Sequence, residues 1–205
     1  NEMKGAMSSP VSQVWQQLTY HLYPTVTYHH NSGGDPAAIV DLTYEQLKAF
    51  YQTHYHPSNA IFMTFGDIPA AEHQEKFETL ALHRFDHLDE CIEVDDEQRF
   101  SEPKRAQGSY TIDTAECADK SYVMLGWLLG KNTDLFEVLK TELLSGILLD
   151  NSASPLRHFL ETTPLGSNPA ALCGLENSFR EMAFVCGIEG SSPEKAEQFE
   201  REVIN

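Results

Sequence analysis

Ser121-Tyr122-Val123-Met124-Leu125-Gly126-Trp127-Leu128-Leu129, followed by Asp134 and the run from Leu135 to Leu149, decides the fold class. The first stretch is short, apolar and bounded by polar residues, which predicts a strand. The second is headed by an aspartate that suits an N-cap, which predicts a helix over 135–149. Downstream, Ser154 caps a short helix over Pro155–Thr162. Strands follow over Ala170–Leu175 and Glu181–Ile188 with a turn between them. Ser192 then caps a last helix beginning at Pro193. Gly108–Ile112 adds a strand upstream. Strands with helices packed on one face make an α+β unit with a mixed sheet. Even the longest apolar run, Tyr122–Leu129, is far too short to span a bilayer.

The first part of the chain reads as a second α+β unit. Met7, Val11, Val14, Trp15, Leu18 and Leu22 fall at helical spacing, Ser8-Ser9-Pro10 resets the helix near its start, and Pro24 ends it. A loop with Gly33-Gly34 follows. Thr43 and Gln46 form a capping box, predicting a helix to Tyr55 with Tyr44, Leu47, Phe50, Tyr51 and Tyr55 on one face. After the turn His56-Pro57-Ser58-Asn59, Ala60–Phe65 reads as a strand closed by Gly66-Asp67. A helix then covers about Pro69 to Leu82. From His87 to Gln107 acidic residues crowd together, as in an interdomain linker. The expected division is a first domain at 1–100, linker included, and a second at 106–205. Asn1 stands where Met is usual, and the chain stops at Asn205 inside an amphipathic pattern. Both ends predict a piece of a larger protein.

The formal net charge is −17, from 14 basic and 31 acidic residues. Nucleic acid is therefore not expected as a partner, because no basic patch is present to displace counterions from phosphates. No membrane partner is expected either. Cys91, Cys117, Cys173 and Cys186 lack CxxC spacing, which predicts thiols in a reducing compartment. His83-Arg84-Phe85-Asp86-His87 places two histidines four apart, on one face if the stretch is helical. It resembles an inverted zinc motif with Asp for Glu. Asp is a methylene short, and the site sits where a helix frays, so helix-end residues are the preferred reading. His54 and His56, two apart, point to different faces. His29 and His30 belong to the loop, and His158 to a helix surface. No nucleophile elbow, phosphate loop or dinucleotide fingerprint is present.

Several segments agree in order along the chain. They are Asn1-Glu2-Met3-Lys4-Gly5-Ala6-Met7, Ser32-Gly33-Gly34-Asp35-Pro36, Leu42-Thr43-Tyr44-Glu45-Gln46-Leu47, His54-Tyr55-His56-Pro57-Ser58-Asn59-Ala60 and Gly66-Asp67-Ile68-Pro69. Ala118-Asp119-Lys120-Ser121-Tyr122-Val123, Trp127-Leu128-Leu129-Gly130 and Leu148-Leu149-Asp150-Asn151-Ser152-Ala153-Ser154-Pro155-Leu156 continue the series. Together they resemble the zinc metallopeptidases that include pitrilysin and insulin-degrading enzyme, and among them the presequence protease subfamily. The resemblance implies two LuxS/metallohydrolase-like α+β domains, the first incomplete, each a mostly antiparallel or mixed sheet packed with helices. Four such domains would close around a chamber, so the C-terminal half of the same polypeptide is an implied partner. Unstructured peptides of the targeting class are the implied substrates, and Zn2+ the implied cofactor of the full-length protein.

The resemblance also assigns residues. Glu2 matches the third zinc ligand, beside two histidines and a glutamate base of a His-x-x-Glu-His motif that should lie upstream. Such a set leaves one open zinc position for water. The sequence holds no such motif, so no catalytic residue is expected within this chain, and the chain alone is expected to be inactive and metal-free. An edge strand of the second domain would hold the substrate by strand addition, and Met182, Ala183, Phe184 and Val185 match it. The acidity would attract basic targeting peptides. The implied compartment is cytoplasmic, or an organelle matrix in a eukaryote. The competing reading is part of a catalytically inactive scaffold or peptide-binding subunit of the same family.

Overall fold

A computed structural model describes residues 2–89, 92–112 and 117–205, with Glu2 described by its backbone alone. The protein is of the α+β class, with eight α-helices and a four-stranded antiparallel sheet among the described residues. It packs as two compact units. One joins the residues up to Gly34 with Asp95–Asn205, and the other is Asp35–Val94. This is a grouping by packing, whereas the expected division near residues 100–106 is one by family domain.

The first unit is built on β4 (Glu181–Ser191), which pairs antiparallel with β1 (Ser121–Lys131) through Val123↔Ile188, Gly126↔Val185 and Leu128↔Ala183. β2 (Asn168–Pro169) and β3 (Gly174–Glu176) pair antiparallel with β4, at Asn168↔Glu189 and at Gly174↔Val185, Leu175↔Phe184 and Glu176↔Ala183. The same β4 residues meet β1 and β3, so those two strands flank it on opposite sides. The pairing is fully antiparallel, one of the two forms expected, mostly antiparallel or mixed.

Side chains alternate along a strand, and each face of β4 meets its own helices. Cys186 and Ile188 join Val123, Leu160 of α7 (Pro155–Thr162), Leu165 and Phe199 of α8 (Ala196–Ile204) in one buried cluster. The rings of Phe159 and Phe199 lie 6.0 Å apart within this layer. On the same face Thr141 of α6 (Leu135–Leu149) lies 3.6 Å from the Met182 sulfur. The opposite face carries Val185 beside Gly126. A Cβ at Gly126 would stand 3.1 Å from Leu22 Cδ1, so α2 (Pro10–Leu22) covers this side. At Gly187 a Cβ would fall 2.5 Å from the Val123 carbonyl oxygen, so β1 and β4 approach this closely only with glycine there.

Local chemistry explains the helix starts. Asp134 accepts from the amides of Phe136 and Glu137 at 3.0 and 3.2 Å, and Ser9 accepts from Ser12 at 3.3 Å. Both satisfy amides that a first helical turn leaves unpaired. Ser154 and Ser192 hold N-cap positions without a capping bond. The last helix is preceded by one 3-10 turn, Pro193–Lys195. The short α1 (Glu2–Ala6) completes this unit.

The second unit contains α3 (Pro36–Ile39), α4 (Tyr44–His54) and α5 (Ala70–Leu80), with single 3-10 turns at Pro57–Asn59 and Leu82–Arg84. Both halves of the Thr43–Gln46 capping box are formed. Ala60–Phe65, expected as a strand, forms no strand and is unpaired among the described residues. Ile61, Met63 and Phe65 are 99, 92 and 106% exposed. β-propensity describes a fit to a pleated neighbour, and without one it yields no strand. Gly108–Ile112 likewise forms no strand, and β3 begins at Gly174 rather than Ala170, since Ala170–Cys173 is a turn closed by Cys173 N–H on the Ala170 carbonyl at 3.2 Å.

Phe199 is fully buried where α8 meets α7 and the sheet. Its replacement by Ala is expected to destabilise the first unit by about 3–5 kcal/mol, read as a lowered urea midpoint with unchanged slope. Gly187→Ala should also destabilise, through overpacking against the Val123 carbonyl rather than through a cavity.

Candidate peptide-binding edge

Met182, Ala183, Phe184 and Val185 are inner-strand residues. Met182, Ala183 and Val185 are buried, and the register places Ala183, Phe184 and Val185 between β1 and β3. The edge-strand position expected for them is occupied by β3 instead. A strand hydrogen-bonded on both sides has no amides or carbonyls left for an added chain. The outer side of β3 pairs with no strand among the described residues.

Beside β3 opens a pocket of about 320 Å³, lined by Trp15, Leu172, Gly174, Glu176 and Val185 among others. Gly174 pairs with Val185 and Glu176 with Ala183, so both lie on the face that α2 covers and from which Trp15 reaches. Gly174 has φ 144°, a conformation favouring glycine, and the place where its Cβ would stand is open within 4 Å. Glu176 is half-buried, and its Oε1 accepts from the Ser178 amide at 2.8 Å and from the Ser178 hydroxyl. The Cys173 thiol also lines the pocket, and burial pushes it up; burial raises that of Cys186 to about 12. Neither is poised as a nucleophile.

The hairpin that carries β3 is held by aromatic packing of Phe179 against Trp15 of α2, with centroids 6.0 Å apart, and against the segment that follows α2. Tyr28 stacks on Phe179 with centroids 4.2 Å apart, and Tyr23 meets the same ring edge-on at 5.4 Å. The Tyr23 hydroxyl donates to the Glu181 carbonyl at 2.8 Å, and the Arg180 amide donates to the Tyr28 oxygen at 3.0 Å. Burial pushes the Tyr23 phenol far up, so it stays a donor.

Residues 95–99 lie in the stretch expected to be a linker, yet they are anchored to the first unit. Asp96 pairs with Lys131 at 2.6 Å and Arg180 at 3.1 Å, and these hydrogen bonds hold its carboxyl below the usual range. Arg99 pairs with the buried Glu181 carboxylate, whose other oxygen accepts from the Glu97 amide at 2.5 Å. Glu97 is itself buried. Burial alone would raise its carboxyl, but donation from Thr25 Oγ1, Thr25 N, Gln98 N and Val26 N outweighs that and holds it low. A carboxylate held low in the folded state stabilises the fold above its unfolded value, and that contribution is lost as pH falls through the folded value. Glu97→Gln is therefore expected to cost about 1–3 kcal/mol at pH 7. The gap to the native chain should narrow in urea titrations repeated at progressively acid pH.

The other expected site residues lie apart from this edge. Glu2 is the first residue of α1, and its side chain lies outside the described residues. His83 sits in the 3-10 turn and His87 beyond it in non-helical backbone, so the two do not share a helix face as their spacing suggested. His83 Nδ1 is engaged by the Glu78 carbonyl at 3.0 Å, and His87 lies 3.4 Å from Asp89. His54 contacts the Phe50 carbonyl and stacks on its ring, and His56 accepts from Ser58, both structural roles. Among the described residues no group of three His, Cys, Asp or Glu side chains is placed to hold a metal ion. These residues therefore do not fit a zinc centre by themselves, and no catalytic step is derived through one. Also among the described residues, no helix is long and apolar enough to cross a membrane.

The chain belongs to the peptidase M16 family: residues 41–205 match the family model described as the peptidase M16 inactive domain. It is 36% identical over 207 residues to the mitochondrial presequence protease of Xenopus laevis and 35% identical to that of Mus musculus, each alignment covering 100% of this chain. It is also 31% identical over 208 residues to "Protein HypA" of Clostridium perfringens, again over its whole length. The resemblance drawn from the sequence motifs thus holds. The chain spans about a fifth of these relatives, 20 to 21% of their length.

Proposed function

We propose that the chain is part of a zinc-dependent endopeptidase that degrades unstructured peptides inside a closed chamber, and that its own role is to hold the peptide. The observation that carries this is the β3 edge, which pairs with no strand on its outer side among the described residues and is backed by a pocket. An extended peptide adds to such an edge through main-chain hydrogen bonds, which give affinity without a fixed sequence. That suits substrates related only by lack of structure. The strand-addition role passes from Met182–Val185 to Gly174–Glu176, because only the latter are at an edge.

In this reading Glu2 supplies the third zinc ligand to a centre whose other ligands come from a His-x-x-Glu-His motif elsewhere in the full-length protein. The C-terminal half of that polypeptide is the partner that closes the chamber. The exposed apolar side chains of α6, Leu135, Phe136, Leu139, Leu143 and Ile147, support packing against further protein. The division at 1–100 and 106–205 stands as the proposed family-domain boundary, and neither nucleic acid nor membrane is a proposed partner. The names of the relatives favour an organelle matrix over the cytoplasm.

A second reading, an inactive scaffold or peptide-binding subunit, is favoured by the description of the matching family domain as inactive. Chelator-sensitive cleavage of an unstructured peptide by the full-length protein supports the enzyme, and its absence supports the scaffold. The 205-residue chain is expected to bind an extended peptide without cleaving it. N-methylation of the peptide amides that face β3 should weaken binding about tenfold or more. Equal affinity for methylated and unmethylated peptides, measured by fluorescence anisotropy, would exclude strand addition.

A further inference from the structure

The pocket beside β3 has more chemistry than strand addition needs. Main-chain pairing requires an edge, whereas this edge is accompanied by an indole and a carboxylate on one side of the strand. Trp15 and Glu176 line the same cavity, floored by Gly174 and Val185. The missing side chain of Gly174 keeps that floor open. The hydrogen bonds of Glu176 both engage Oε1, and Ser178 thereby fixes the carboxylate while Oε2 remains to accept from a ligand. Nearby cations do not compete for it, since Arg180 is paired with Asp96 and Arg99 with Glu181.

We propose that Trp15 and Glu176 form a selectivity pocket for one basic side chain, arginine or lysine, of a peptide lying along the outer edge of β3. This rests on the strand-addition reading and adds which kind of side chain the edge reads. A basic residue has an aliphatic stem that can cross the apolar wall and a charged head that can reach the carboxylate. Its cation is also attracted to the face of an indole. An apolar residue in the same place would cover the Glu176 carboxylate without pairing it, which costs free energy. An acidic residue would be repelled, by Glu176 and by the excess of 31 acidic over 14 basic residues in the chain. The selection is thus made by one carboxylate held by Ser178 and by one ring carried on α2.

The test uses the 205-residue chain and three extended peptides alike except for one central residue, arginine, citrulline or norleucine. Citrulline keeps the shape and most donors of arginine but not its charge. The arginine peptide is expected to bind about tenfold more tightly than the citrulline peptide, the scale of one partly desolvated cation–π contact with an ion pair. In Glu176→Gln, whose amide oxygen can still accept from Ser178, that preference should disappear and the citrulline peptide should bind as before. Loss of the citrulline affinity together with the preference would mean that the substitution disturbs the edge itself and would overturn the assignment. Equal affinities for arginine and citrulline peptides in the native chain overturn the pocket and leave strand addition standing. Failure of all three peptides to bind overturns both.

Discussion

Glu181 is the residue on which the first unit turns. It opens β4, its carboxylate is buried, and its carbonyl accepts from Tyr23 at the end of α2. The carboxylate takes the Glu97 amide and the Arg99 guanidinium, so three segments far apart in sequence meet on one residue. A buried carboxylate is tolerated only when paired and hydrogen-bonded, which makes the arrangement selective as well as stabilising. If β4 slipped by one residue against β1, its side chains would change faces. Glu181 would then lose its partners and Met182 its place beside α6. The same registration sets Gly174 and Glu176 on the α2 side of the sheet, so the pocket is a product of this junction.

The elements governed by short-range chemistry were legible in the sequence. Asp134 and the Thr43–Gln46 pair announced helix starts that the structure keeps, and α6 and α7 have the ends that their caps and patterns predicted. β1 and β4 were legible because both are apolar runs too long to be turns. What failed was pairing. Ala60–Phe65 has the composition of a strand but no neighbour among the described residues, and nothing within those six residues encodes that. The acidic stretch misled in the opposite direction. Its charges read as solvated, yet Glu97 is buried because the backbone amides of Thr25 and Val26, invisible in a residue string, converge on it.

The candidate edge at β3 shows the same limit. Motif resemblance carried the family, and it matched strand addition to Met182–Val185, which the sheet places inside rather than at an edge. In the sheet that run is an inner strand, because β1 and β3 pair with β4 on its two sides. β3 is short, three residues that begin at a glycine and are followed by the bend at Ser178-Phe179-Arg180. Gly174 was the signal available in the sequence, because glycine inside a strand pattern marks a close approach or an opening. Trp15 had no such signal. At helical spacing with Val11, Leu18 and Leu22 it reads as one more core residue.

The exposed stretch Ala60–Phe65 and the outward apolar face of α6 have a consequence for how the chain behaves in solution. A short, β-prone, uncharged run with Ile61, Met63 and Phe65 fully exposed is a template for intermolecular pairing. What opposes it is mutual repulsion between molecules that each carry a formal charge of −17. That repulsion acts over a distance set by salt, about 10 Å at 0.1 M and about 3 Å at 1 M, whereas the apolar attraction does not fade in the same way. Colloidal stability of this chain is therefore expected to fall as salt rises and as pH falls toward the carboxylate range.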